Sequence, residues 1–186
     1  MAITSYFKNK LRNLLLGKSS RLFPKNKSIT ISPDLIMGNY VNINVQSIDV
    51  LIKIDSNVIF KEFCSVLVVK GGKLSVDSNV FFNNYSSINC LEEIRIGANT
   101  LYGEGVKIYD HNHKYDQTPE LKVYGDQFNT SPVIIGENCW IGSNVTILKG
   151  VTIGNNVIIG ANNLIYKSIP SNSLVKSKSE INIQTF

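Results

Sequence analysis

A beat of six residues constrains this chain more than any other feature. Ile135, Ile141, Ile147, Ile153, Ile159 and Ile165 stand six apart without a slip, in IGENCW, IGSNVT, ILKGVT, IGNNVI, IGANNL and IYKSIP. The beat recurs earlier at Met37 and Ile43, at Ile54, Phe60 and Val66, at Val76, Phe82 and Ile88, and at Ile96, Tyr102 and Ile108. Slips between these blocks mark turns that carry extra residues. A period of six fits neither an α-helix nor a long alternating strand. It describes a chain that turns a corner every six residues, each side contributing one inward aliphatic side chain. Such coils stack into a solenoid, each burying its neighbour's apolar edge. Gly follows the aliphatic residue in IGEN, IGSN, IGNN and IGAN, with Asn two residues further on. Both types tolerate the left-handed backbone that a tight corner requires.

Composition agrees with short strands and polar turns. The 186 residues suit one domain, and only 18% are charged, fewer than a helical bundle would carry. The net charge of +5 is modest and concentrated near the N-terminus. Basic and aromatic residues are not clustered as a nucleic-acid binder would need, so no nucleic-acid partner is expected. Cys64, Cys90 and Cys139 form no CxxC pair and no metal spacing, which reads as buried, reduced thiols in a cytoplasmic protein. No run approaches the ~18 apolar residues of a membrane span.

Three parts follow: residues 1–27, a repeat region over 28–170, and a tail over 171–186. The first contains SYFKNKLRNLLLGKSSRLFPK, with Tyr6, Phe7, Leu11, Leu14 and Leu15 near helical spacing among basic residues. It predicts a basic amphipathic helix that caps the open end of the solenoid, or rests peripherally on an anionic inner-membrane surface.

The beat fails over 109–132, within YDHNHKYDQTPELKVYGDQFNTSPV, which predicts one extended loop. A long interruption in a regular solenoid is commonly functional. This one holds the only histidines, His111 and His113. Histidine titrates near neutrality, so it can take a proton from a hydroxyl and later return it. Asp110, Asp116 or Glu93 could orient the imidazole by accepting its other N–H, and a backbone carbonyl could serve instead.

The repeat, the interruption and the stretch VIIGENCWIG from Val133 to Gly142 resemble the hexapeptide-repeat acyltransferases, over roughly residues 29–170. The resemblance implies an all-β, left-handed parallel β-helix of about eighteen residues per coil. The repeat alone does not set the hand. It also implies a homotrimer with a site at each subunit boundary, and acetyl-CoA as acyl donor, with no metal.

The sugar O-acetyltransferases of this fold carry a histidine where the helix is interrupted, which matches His111. His113 falls on the more variable position after it. The pattern here is DHNH, where maltose- and galactoside-type relatives often have HP, so the likeness is to enzymes that modify capsule, O-antigen or other surface polysaccharides. In the resembling enzymes the position of Trp140 lies beside the acceptor and thioester, and Asn84 in FFNNYSS matches an acceptor contact. Asn83 shares that ambiguity, and Tyr109 and Asp110 join Asn84 as candidate acceptor contacts.

Gly142, Ser143, Gly160 and Ala161 match backbone contacts to the pantetheine arm. A backbone N–H near Gly142 or Ser143 is expected to stabilise the oxyanion. Lys167 in LIYKSIP matches a lysine near the coenzyme A phosphates. The tail departs from the family's usual basic close, with only Lys176 and Lys178 available for the nucleotide.

Direct acyl transfer to a sugar hydroxyl with His111 as base is the resulting expectation. Cys139 precedes Trp140, so its alkylation is expected to inhibit without the thiol acting as nucleophile. Rivals are N-acyl transfer to an amino sugar or xenobiotic and a non-catalytic scaffold. A γ-type carbonic anhydrase is disfavoured, because it needs three histidine ligands and the chain has two.

Overall fold

The computed structural model describes residues 28–176; the helix expected over 1–27 and Lys178 in the tail lie outside the described residues. The described chain is all-β, a left-handed parallel β-helix of about six turns. Three parallel sheets of six, seven and six strands form its sides. Each coil visits the first, second and third sheet in turn, so there are three columns of corners. Coil length shrinks along the axis: the paired residues Ile54 and Val76 are 22 apart, Val76 and Ile96 are 20 apart, and Ile135 and Ile153 are 18 apart. The longer early coils come from four-residue strands in the first and third sheets.

The inward row follows the beat. Ile54, Phe60, Val66, Val76, Phe82, Ile88, Ile96, Tyr102 and Ile108 are buried, as are Ile135 through Ile165 at every sixth residue. Phe60, Phe82 and Tyr102 stack inside the solenoid with centroids 4.6 and 4.5 Å apart. Most sides bury a second residue as well, two positions before the first, among them Val58, Cys64, Val80, Ser86, Thr100, Val106, Cys139, Val145, Val151 and Val157. One inward side chain per side was therefore too few. The corner backbone turns this residue inward too, and the space at a corner suits small or β-branched side chains. The three cysteines are free and buried, Cys64 and Cys139 in this second row and Cys90 at the end of the strand Ser87–Cys90, two residues past Ile88.

Gly and Asn divide the work at the corners differently from the expectation. The left-handed rungs at IGEN, IGSN, IGNN and IGAN are Asn138, Asn144, Asn156 and Asn162, with φ between 57° and 60°. The glycines serve close stacking instead. A Cβ on Gly142 would stand 2.6 Å from the Ala161 nitrogen, and one on Gly136 would stand 2.6 Å from the Gly154 carbonyl carbon and collide with Asn155. Asn side chains then bond up the first corner, Asn57 to Asn79 at 3.1 Å and Asn79 to Asn99 at 3.0 Å.

The interruption is not an open loop. His111–Asp116 and Lys122–Thr130 pair as an antiparallel hairpin that projects from the third corner. Ser131 N–H donates to the Asp110 carbonyl at 2.8 Å and closes its neck. In the segment expected to be tail, Leu174–Val175 pairs parallel with Ile158–Ile159 and adds a seventh strand to the second sheet.

Candidate active site

Tyr109 ends a third-sheet strand, Lys107–Tyr109, whose Ile108 faces the core. The next residue, Asp110, is fully buried at the third corner. Its carboxylate accepts the N–H of Leu91 at 2.9 Å and of Glu92 at 2.7 Å, groups left over where the preceding coil turns. Oδ1 also lies 3.2 Å from His111 Nδ1. A carboxylate accepts only, so Nδ1 carries the hydrogen, and in the neutral ring Nε2 is then the nitrogen with the lone pair. Of the three carboxylates open as orienting partner, the geometry selects Asp110. Asp116 instead accepts the Tyr124 hydroxyl at 2.6 Å, and Glu93 holds Arg95. The same burial corrects the reading of Asp110 as an acceptor contact: no ligand reaches a carboxylate with no exposed surface.

The His111 ring is largely enclosed, its side chain 16% exposed. It meets Tyr109 and Phe128 edge-on, at 6.0 and 5.3 Å between centroids. Phe128, on the returning hairpin strand, also lies 4.8 Å from His113. Sequence reasoning passed over Phe128; its one signal was an aromatic residue inside the histidine-bearing interruption. His113 is exposed, with Nδ1 3.0 Å from the Tyr124 carbonyl. A carbonyl likewise only accepts, so Nδ1 carries a hydrogen here too, but this partner is neutral.

The remaining candidates lie elsewhere in the chain. Trp140, 57% exposed, points outward from the second sheet. Asn84, Gly142, Ser143, Gly160 and Ala161 sit at the second corner, across the third sheet from His111. Asn84 Oδ1 accepts the Glu62 N–H at 3.1 Å, and Asn83 Oδ1 accepts the Asn84 N–H at 2.9 Å. Both amides thus serve the corner backbone. The Gly142 N–H donates to the Ile159 carbonyl at 2.8 Å, so it belongs to the coil ladder and is not available to an oxyanion; Ser143 is the member of that pair that remains. Lys167 is exposed just past the last third-sheet strand, 5.7 Å from the Tyr166 ring, and Lys176 is exposed at the end of the described chain.

Two expectations about the thiols resolve here. Burial pushes all three up, Cys90 to about 12 with the Asp110 charge adding to the effect. Cys139 Sγ faces inward toward the Glu137 and Gly154 carbonyls, away from Trp140, so alkylation there has no path in the folded chain. Among the described residues no group of three His, Cys, Asp or Glu side chains could hold a metal ion, and no helix is long and apolar enough to cross a membrane.

Residues 132–167 match the family model described as bacterial transferase hexapeptide, six repeats. The chain carries the bacterial transferase hexapeptide repeat. Curated relatives of this repeat chain include WbbJ of Escherichia coli K12, named for O-acetyl transfer in lipopolysaccharide biosynthesis, 33% identical over half of each chain. WcaF of the same organism, named as a colanic acid biosynthesis acetyltransferase, is 28% identical over 71% of this chain and 68% of its own. The hexapeptide chain thus spans about half the length of WbbJ in that match. Among solved structures, AntD, an N-acyltransferase from Bacillus cereus crystallised with dTDP and 3-hydroxybutyryl-CoA, superposes with a TM-score of 0.60. The match covers 76% of this chain and 74% of AntD at 19% identity, a likeness of fold.

Proposed function

We propose that this chain transfers an acetyl group from acetyl-CoA to a sugar hydroxyl in surface-polysaccharide biosynthesis, with His111 as general base. The observation that carries the reading is the Asp110–His111 pair at the neck of the hairpin. His111 Nε2 takes the hydroxyl proton, and the freed oxygen attacks the thioester carbonyl. The Ser143 N–H stabilises the oxyanion. Collapse breaks the C–S bond, and the imidazolium returns its proton to the leaving thiolate, giving an acetyl ester and free coenzyme A. Asp110 fixes the tautomer of the neutral imidazole and stabilises the imidazolium, as an ionised partner does more strongly than the neutral carbonyl facing His113. The acetyltransferase names of WbbJ and WcaF support the donor and the polysaccharide setting.

The working unit is a homotrimer in this reading. His111 lies at the third corner, whereas Ser143 and Ala161, offered for the pantetheine arm, lie at the second. Side-by-side packing brings one copy's hairpin to the next copy's second corner. The second sheet supports association: its outward ladder runs Ile36, Ile59, Phe81, Leu101, Trp140, Ile158 and Leu174, apolar on every strand, and Leu101, Trp140 and Leu174 are each more than half exposed. Contiguous exposed apolar surface of this kind marks an interaction face.

The test is release of free coenzyme A with surface oligosaccharide acceptors. His111→Ala should lose about 10²–10⁴-fold in rate while His113→Ala retains most of it. The reverse order transfers the base to His113. An acetylated product stable to hydroxylamine is an amide, and would replace the hydroxyl acceptor by an amine.

A further inference from the structure

The second corner carries a column of aromatic rings that the chemistry above does not use. Tyr40, Phe63 and Tyr85 hold φ of 59°, 59° and 60°, a conformation that the other positive-φ rungs among the described residues give to Asn or Gly. Bulky side chains are penalised there. The rings stack at 4.9 and 5.1 Å but stay 78%, 46% and 54% exposed, so burial does not offset the penalty. The next rung is Gly105, at φ 68°. With no side chain there the stack stops, and the Tyr85 ring borders a cleft of about 540 Å³, lined by Tyr85, Glu104, Gly105, Lys107, Ser143 and Asn144.

That size suits a small ligand. Glu104 and Lys107 oppose each other in charge, so the cleft does not select an anion. An aromatic face framed by carboxylate, ammonium, hydroxyl and amide groups matches a pyranose ring. The C–H face of the sugar stacks on the aromatic ring, and its hydroxyl rim finds donors and acceptors on all sides. We propose that Tyr85, in the rung vacated at Gly105, is the platform that seats a pyranose ring of the acceptor glycan. The proposal rests on the sugar-acceptor reading above and names a specificity-determining residue for it.

The experiment compares wild type, Tyr85→Ala, Tyr85→Phe and Gly105→Asn on an array of bacterial surface oligosaccharides without acetyl-CoA, then in acetyl transfer. Tyr85→Ala is expected to weaken glycan binding about tenfold and to raise the acceptor KM alike, with KM for acetyl-CoA unchanged. Tyr85→Phe keeps the ring face and should bind as wild type. Gly105→Asn suits the left-handed rung, but its Cβ would stand 2.6 Å from Asn144 Oδ1, so it pushes that side chain aside, fills the cleft, and should lose binding. Transfer to a glycan with unchanged acceptor KM in Tyr85→Ala overturns the subsite and leaves the sugar acceptor standing. A raised KM for acetyl-CoA assigns the cleft to the donor, and loss of the native oligomer mass assigns the column to subunit contact; either overturns the proposal. No transfer by wild type to any glycan sinks the acceptor reading itself.

Discussion

Asp110 Oδ1 stands 3.2 Å from His111 Nδ1 while the same buried carboxylate accepts two backbone N–H groups from the preceding coil. One side chain therefore both completes a corner and holds the His111 ring, the base of the proposed reaction. Asp110→Asn should cost about 1–3 kcal/mol of stability, because an amide NH₂ replaces one acceptor at a site of three donors. Activity should fall further, by about 10³-fold, since the imidazole loses the partner that fixes its tautomer. Denaturant unfolding and coenzyme A release read the two effects separately. A stability loss with full activity would reduce Asp110 to a corner residue.

The division of labour at the corners predicts opposite responses from near neighbours. Gly136→Ala drives a methyl into Gly154 and Asn155 and should cost about 1–3 kcal/mol. Asn138→Gly suits the same left-handed rung and should stay within about 0.5 kcal/mol of wild type. Thermal unfolding of the two variants checks the contrast.

Tyr102 sits at the end of the inner aromatic stack with its hydroxyl buried and no hydrogen-bond partner among the described residues. Tyr102→Phe removes that group, leaves the stack intact, and should stabilise the fold by about 1 kcal/mol. An unchanged or lower midpoint in urea would mean the hydroxyl is satisfied in solution.

Alkaline pH should weaken the fold through its buried thiols. Burial raises Cys90 from 9.0 to about 12, and raises Cys64, Cys139 and Tyr102 as well. Neutral thiols favour the native state in full below about pH 9. That advantage drains away as pH climbs toward about 12 and the unfolded chain ionises first. Unfolding midpoints measured across this range should fall with pH. Iodoacetamide at neutral pH should leave all three thiols unmodified until denaturant is added.

The inward aliphatic row was readable because a six-residue period maps each repeat onto one side of a coil. The second inward row keeps the same period, with Val58, Val80, Val106, Val145, Val151 and Val157, but Ser86 and Thr100 break its apolar run, and only the corner backbone shows that residues two positions before the beat also turn inside. The hairpin was hidden for a related reason. Nearly all of 111–130 is exposed, so no alternation of apolar and polar residues marks its strands. His111 and His113 stood out as the only histidines, both inside the break, but the pairing of His111 with Asp110 rather than Asp116 or Glu93 depends on burial and distance. The outer rings at Tyr40, Phe63 and Tyr85 lie 23 and 22 residues apart, off any short period, and align only once the longer early coils are stacked.

Closure of the hairpin neck by Ser131 and Asp110 has an evolutionary consequence. The coil resumes at Val133, in register with Ile94 below it, so everything beyond the neck is an appendage to a complete scaffold. Residues from Lys114 to Gln127 can lengthen, shorten or be exchanged without disturbing a single coil-to-coil bond, while His111 stays anchored at the root. The hairpin tip and the coils can therefore diverge at separate rates, the tip changing in length and sequence while the corner that carries Asp110 and His111 stays as it is.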